Sequence, residues 1–468
     1  MRIDEQAKSI LAEGLANIAQ QYSIPHGFAE DVLREAKEVV SHWNAQVDLA
    51  LNSEYRPRLD IPFVTLDPAP STDLDQAFYL YEEGDKIVLQ YALADLKPFI
   101  KTDGCIEKEA WQRGVTLYSL SNKVPLYPPV ISQKGASLLP NGKKGALLIE
   151  VDIDSQGNVG MRSVERVLMR SFAKLDYERF RSEQAPLLKP FAERYWRGEQ
   201  ERGAMRLEFP QQEIVSDRSA PGGIRLELRA RNEAEQMNST LSLAVNLALA
   251  TMLKKEKSGV FRVMEEPSHA AMRSLRREAH ALGIAWDAAE GLRDLQKRLA
   301  ADNVDHQRFM MEVRRAGGRA RYAHIQDDPS PWHAAIAASY VHATAPMRRL
   351  GDRYLLELAY CIERGLAVDA DLEERIKQLP DVMDRCEGRA NGIDRAVIDL
   401  LEAVSLRTRI GEVMVAEVVD AEAGVVQTRD SAIRSKATKL EGVKNGDQVR
   451  VRIAVADPAT RTVRFEAV

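Results

Sequence analysis

The chain has 468 residues, with 65 Lys and Arg against 70 Asp and Glu, a formal net charge of −5. Bulk attraction therefore does not hold a polyanion, and any nucleic acid must be met by local basic patches. Its three cysteines, Cys105, Cys361 and Cys386, are odd in number and lie far apart without a C-x-x-C pair, which excludes a disulfide framework and a thiolate zinc site and fits a reducing, cytoplasmic compartment. No run approaches 18 apolar residues and the first residues carry acids, so neither a membrane span nor a leader peptide is expected.

Residues 4–45 carry two apolar stripes at helical spacing, Ile10, Leu11, Leu15, Ile18 and Ala19, then Phe28, Val32, Leu33, Ala36, Val39 and Val40, with a break at Pro25 and His26. Acids outnumber bases in residues 1–60, so this piece reads as a packing or interaction unit, not a phosphate binder. From Pro57 the texture turns to strands: IPFVTL, Ala77–Tyr81 and Lys86–Ala94, the last two joined by a turn at Glu83, Gly84 and Asp85. Gly145–Ile153 and Ser163–Met169 are further strands, Phe172–Arg202 reads as helical, and Ala234–Leu253 is apolar on nearly every side, the mark of a buried helix. Residues 269–316 are amphipathic, and Pro331–Lys377 reads as mostly helical. From Gly411 five short alternating strands predict an OB-type barrel, a common single-strand nucleic-acid platform, with Arg429, Arg434, Lys436, Lys439 and Lys444 in its middle loops.

Two segments carry chemistry. FVTLDPAPSTDLDQAFYL, residues 63–80, packs Asp67, Asp73 and Asp75 into a Pro- and Ser-containing segment with no base between them. Exposed hard oxygen donors without nearby His or Cys favour Mg²⁺, or Mn²⁺, over zinc, and Mg²⁺ is commonly shared with a phosphate-bearing substrate. A solvated acidic turn is the plain alternative. In SYVHATAPMRRLGD, residues 339–352, Pro346 fixes the start of a helix whose first amides, with Arg348 and Arg349, would form an anion site. Adjacent arginines cannot share a helical face, so one should reach phosphate and the other pair with an acid such as Asp352.

Together DPAPSTDLDQA and SYVHATAPMRRLGD resemble the two signature segments of the RNase II (RNB) family of exoribonucleases, with supporting likeness in YALADLKPFI, GVTLYSLSNKVPLYPPVIS, RGAMRLEFP and SGVFRVMEEPS. The resemblance implies a multidomain α/β (α+β) protein: a helical N-terminal domain (1–58), an RNB-like catalytic domain of mixed sheet and helices (59–408) and an S1-like OB barrel (409–468). It implies a Mg²⁺-dependent, processive 3′→5′ exoribonuclease that hydrolyses RNA to nucleoside 5′-monophosphates. Asp67, Asp73 and Asp75 would hold two divalent ions, Asp75 and Arg348 would be catalytic, and Tyr118, Arg348, Arg349 and Leu207 would contact RNA, Tyr118 by stacking on the terminal base. The partners implied are single-stranded RNA or RNA with a 3′ overhang, met by a monomer free of membranes.

This chain departs from the pattern at four places. Gln76 stands where the family's loop ends in a second acid, Leu207, with Phe209 two residues on, where it has a base-clamping aromatic, and Ser239-Thr240 where it often has a Glu pair. The two cold-shock barrels expected ahead of the catalytic domain are replaced by the helical piece, which implies a wider entrance and access to structured RNA. Gln76 also sustains the alternative of a catalytically weakened member acting as an RNA-binding or regulatory protein. An RNA chaperone working through the barrel alone would leave the central region unexplained.

Overall fold

The structure is a computed structural model that describes residues 5–47, 54–118, 123–140, 142–204, 211–216, 224–229, 231–300, 303–428 and 433–468. Leu207, Phe209 and Arg429 lie outside the described residues. Two helices, α1 (Glu5–Gln21) and α2 (Glu30–Gln46), precede a five-stranded closed barrel of β1 (Arg56–Asp67), β2 (Gln76–Glu83), β3 (Lys86–Ala94), β6 (Lys144–Ile153) and β7 (Val159–Asp176). β1, β2, β3, β6 and β7 pair antiparallel in that order, and β1 then closes on β7 in parallel, Asp67 opposite Asp176. Gly84 turns the β2–β3 hairpin at φ +62°, a backbone that glycine adopts without a Cβ penalty. Nearly every residue of β6 is buried, because helices α4 (Leu188–Arg202) and α5 (Glu233–Lys255) cover it.

Between β3 and β6 lie helix α3 (Cys105–Arg113) and the two-residue ribbon strands β4 (Leu117–Tyr118) and β5 (Lys123–Val124). Beyond β7 come the ribbon β8 (Gln211–Ser216) with β9 (Ile224–Arg229), and strand β10 (Val260–Val263) paired with β11 (Arg321–His324). Helices α6 (His269–Ala281), α7 (Leu292–Lys297) and α8 (Val304–Ala316) close on a small core of their own around Leu275, Leu295, Phe309 and Val313. Helix α9 (Leu350–Glu363) and the 37-residue α10 (Ala370–Leu406) follow, the latter capped by Asp369 accepting from the Leu372 amide.

The chain ends in a second closed barrel, β12 (Val413–Asp420), β13 (Val425–Thr428), β14 (Arg434–Thr438), β15 (Gln448–Asp457) and β16 (Thr462–Ala467), in the order β12-β13-β14-β16-β15. This is the OB-like barrel expected from the alternating pattern, closed by the parallel pair β14–β16. Helix α10 is the spine of the assembly, packed on α1, α9, β10, β11, β15 and β16. Gly14 of α1 lies so close that a Cβ there would stand 2.6 Å from Leu400 Cδ1, and Arg461 ties β15–β16 to Gln21 at 2.6 Å.

Three expectations are corrected. Phe172 belongs to β7, not to a helix, because the strand must run to Asp176 to pair with the whole of β1, and helix resumes at Leu188. The block from Pro331 is not mostly helical at its start: regular helix begins at Leu350, since residues 331–349 make their bonds to other elements. The strands of the catalytic region form a closed barrel, a closure that hydrophobic alternation along single strands does not encode.

Candidate active site

The acidic loop leaves β1 at Asp67 and rejoins the barrel at Gln76. Far from lying open to solvent, it is nailed down by other parts of the chain. Lys174 Nζ, on the neighbouring strand β7, donates to the carbonyls of Ala69 and Ser71 at 2.6 Å each. Ser137 Oγ accepts from the Leu74 amide at 3.0 Å and donates to the Thr72 carbonyl at 2.8 Å, while the Leu138 amide donates to the Leu74 carbonyl at 3.0 Å. The acids are consequently withdrawn from water, contrary to the expectation of an exposed loop. Asp75 is only 6 % exposed.

Burial sets the chemistry of the acids. Removal from water pushes Asp75 up to about 7, against the pull of Arg348 and of the Met347 amide, with Asp73 and Asp352 adding repulsion. Asp67 rises to about 6, again chiefly through burial, with Lys174 and Arg348 opposing and Asp73 reinforcing. Asp67 Oδ2 is buried without a hydrogen-bond partner. A carboxylate held ionised in such surroundings needs a compensating charge, and a hard divalent cation is the natural complement of these oxygen donors. Among the described residues, however, no group of three or more His, Cys, Asp or Glu side chains is placed to hold a metal ion. The reason is Asp73, whose carboxylate is engaged by Lys123 Nζ. Gln76 begins β2 opposite Leu93.

The second segment meets the first here. Met347 donates its amide to Asp75 Oδ1 at 2.7 Å, and Arg348 Nε lies 3.6 Å from Asp75 Oδ2 with its side chain 43 % exposed. Arg349 is turned away: Nε and a terminal nitrogen donate to buried Asp352 at 2.8–3.1 Å, and Asp352 Oδ2 also accepts the Ala345 amide at 2.7 Å. The expected division between the arginines therefore has a geometric counterpart, Arg348 open and Arg349 tied. The expected anion site on free amides does not form. Met347 gives its amide to Asp75, Arg348 and Arg349 give theirs to the Ala345 carbonyl, and Leu350 gives its own to Gly114.

Tyr118 is exposed, and its ring lies 5.4 Å from Lys123 Nζ across the β4–β5 ribbon. The ribbon is locked to the arginine segment by the Thr116 amide donating to the Arg348 carbonyl at 3.0 Å. Beside it a cavity of about 590 Å³ is lined by α1, Pro25–Phe28, Arg113, Lys123 and α10, which sets the N-terminal helices next to Tyr118 and Lys123. Behind the arginines lies a polar network that sequence reasoning missed. Asn246 Nδ2 donates to Tyr340 and Thr344, Tyr322 OH contacts His342 Nδ1 at 3.0 Å and donates to Glu387 at 2.5 Å, and Arg262 pairs with Glu387 at 2.8 Å. Burial and the nearby arginines hold His342 well below the usual imidazole range. Ser239 and Thr240 turn their hydroxyls back to the Gln236 and Met237 carbonyls.

The sequence profile of the RNB domain matches residues 58–362, and that of the RNase II-type exonuclease C-terminal S1 domain matches residues 412–468. Ribonuclease R of Escherichia coli K12 is 25 % identical over 422 residues, 83 % of this chain and 49 % of its own length. The chain thus spans about half the length of that relative. The solved structure of Mycoplasma genitalium RNase R in complex with ribose methylated single-stranded RNA superposes with a TM-score of 0.84 at 19 % identity, over 98 % of this chain and 78 % of that one. Yeast Ssd1, described as a pseudonuclease, superposes with a TM-score of 0.65 at 14 % identity, over 86 % and 52 % of the two chains.

Proposed function

Because this chain belongs to the RNB-domain family, we propose that it is a Mg²⁺-dependent, processive 3′→5′ exoribonuclease that releases nucleoside 5′-monophosphates from single-stranded RNA or from the 3′ overhang of a duplex. The observation that carries the reading is the meeting of Asp75 with Arg348, a buried acid and a half-open cation brought together from distant parts of the chain. The bound ion would rest on Asp67 and Asp75, with Asp73 on the same loop. Such an ion supplies an activated water and shields the charge of the leaving oxygen. The attacking oxygen bonds to phosphorus in line with O3′, the P–O3′ bond breaks, and the proton lost by water ends on the O3′ of the shortened strand. Arg348 meets the charge that grows on the phosphate, a contribution typically of a few kcal/mol. Arg349 holds its neighbour in place through Asp352 and carries any RNA contact only indirectly. Tyr118 supplies an aromatic face for the terminal base. Leu207 is assigned the second wall of the base site.

Residues 1–58, 59–408 and 409–468 act in this reading as helical entrance, catalytic body and RNA-binding barrel of a cytoplasmic monomer. Among the described residues no helix is long and apolar enough to cross a membrane. A second reading, an RNA-binding protein with a weakened centre, is favoured by the Lys123 contact on Asp73 and by the neutral Gln76. Product analysis separates the two. Incubation of a uniformly labelled, unstructured RNA with Mg²⁺ should yield nucleoside 5′-monophosphates from the first time points, whereas intact RNA in a stable complex would overturn the enzymatic reading.

A further inference from the structure

Lys123 is a feature that the sequence did not single out, and the fold gives it a defined place. In the antiparallel ribbon β4–β5 it stands directly across from Tyr118, so the two side chains share one face of the pair. Its ammonium lies 5.4 Å from the Tyr118 ring centroid, within the range of a cation–π contact, and its head engages the Asp73 carboxylate. The Lys123 side chain is 33 % exposed and that of Asp73 12 %. A half-sheltered ion pair of this kind is less screened than a surface pair.

The charges around this contact can be counted. Asp67, Asp73 and Asp75 carry three negative charges when ionised, and the adjacent Gln76 adds none. The Lys123 ammonium cancels one, which leaves two, the charge that a single divalent ion balances. Arg348 stands outside this balance, free to meet a phosphate. Asp67, with its orphaned buried oxygen, and Asp75 are the two acids whose ionisation burial opposes, and these are where the divalent charge is needed.

We propose that Lys123 is a tethered cation occupying the Asp73 side of the centre, so that this chain binds one divalent ion, on Asp67 and Asp75, where three free carboxylates would take two. The proposal rests on the metal-dependent reading above. It makes Lys123 a positioning residue as well: one ammonium joins the acid loop to the aromatic face on which the terminal base would stack.

The test is a count of bound Mn²⁺, followed by the paramagnetic resonance of the free ion up to millimolar concentration. The full chain is saturated with a short 2′-O-methyl oligoribonucleotide, and ions bound by the oligonucleotide alone are subtracted. One ion per wild-type chain is expected, with two in Lys123→Met, or a second site at least tenfold tighter than any in wild type. Lys123→Arg, which keeps the charge, should return the count to one. Two ions in the wild-type chain, a measurement that depends on no variant, would overturn the proposal, and so would an unchanged count and affinity in folded Lys123→Met. No ion in either protein would instead refute the metal-dependent reading itself, so the two failures are distinct.

Discussion

Replacing Asp75 by Asn should make the metal-free protein more stable while abolishing turnover. In the folded chain the Asp75 carboxyl titrates at about 7 against a model value of 3.8, so the protonated form is favoured by folding. The unfolded chain releases this proton at the lower pH and the folded chain keeps it until near 7. Unfolding is thus accompanied by proton release in that window, and the contribution of Asp75 to stability falls as pH rises from about 4 to about 7. At 1.36 kcal/mol per unit of pKa, roughly three units correspond to about 4 kcal/mol of strain above pH 7. Asparagine removes the charge yet can still accept the Met347 amide through its carbonyl. Its NH₂ group, facing Arg348, returns part of the gain, so a net stabilisation of about 1–3 kcal/mol is expected. Urea unfolding of both proteins in EDTA at several pH values measures this directly. The gap between variant and wild type should open between pH 4 and 7 and stay flat above. Mg²⁺ should narrow it, because an ion that needs the carboxylate stabilises only the wild type. A variant that is less stable than wild type at pH 8 in EDTA would refute the reasoning.

Arg348→Ala should lower the rate at saturating RNA by about 10²–10³ with little change in melting, since its side chain is half open and it acts on transition-state charge; steady-state kinetics decides. Arg349→Ala strands buried Asp352 and should cost about 3–5 kcal/mol of stability, read by denaturant melting. Equal rate losses at equal stability in the two variants would contradict the division. Tyr118→Ala should weaken binding of a 3′-terminal oligonucleotide by about 1–3 kcal/mol, and Tyr118→Trp should restore it. The Ser137→Ala variant leaves the Leu74 amide without its acceptor and should cost about 1–3 kcal/mol, with a fall in turnover as the acid loop loosens. A helical entrance in place of cold-shock barrels should let a 3′-tailed duplex be shortened further than by a relative that carries them, in a side-by-side digestion at matched single-strand activity; stalling at the same distance from the duplex would refute this.

Local pattern and motif were legible where periodicity and backbone chemistry act within a few residues. The hairpin at Gly84, the buried helix α5 and the five strands of the last barrel could all be read from the chain. Asp75 and Arg348 could be named because two ordered motifs pointed to them. What escaped depends on groups far apart in sequence. The burial of Asp75 needs Ser137 and Lys174 to hold the loop, and no spacing rule connects positions 74 and 137. The diversion of Asp73 needs Lys123, whose register opposite Tyr118 belongs to the ribbon. The loss of the expected amide anion site has the same origin, since the Met347 amide found its acceptor 272 positions away in Asp75.

The central claim, that Asp75 and Arg348 form a working hydrolytic centre, is tested most directly by a 5′-labelled RNA with an unpaired 3′ tail, followed over time with Mg²⁺ and with EDTA, using wild type and Asp75→Asn. Stepwise shortening from the 3′ end by wild type in Mg²⁺, absent in EDTA and in the variant while both proteins still shift the RNA in a gel, is the predicted result. Full-length RNA under every condition, bound but uncut, or shortening that persists in EDTA or in Asp75→Asn, would contradict the account.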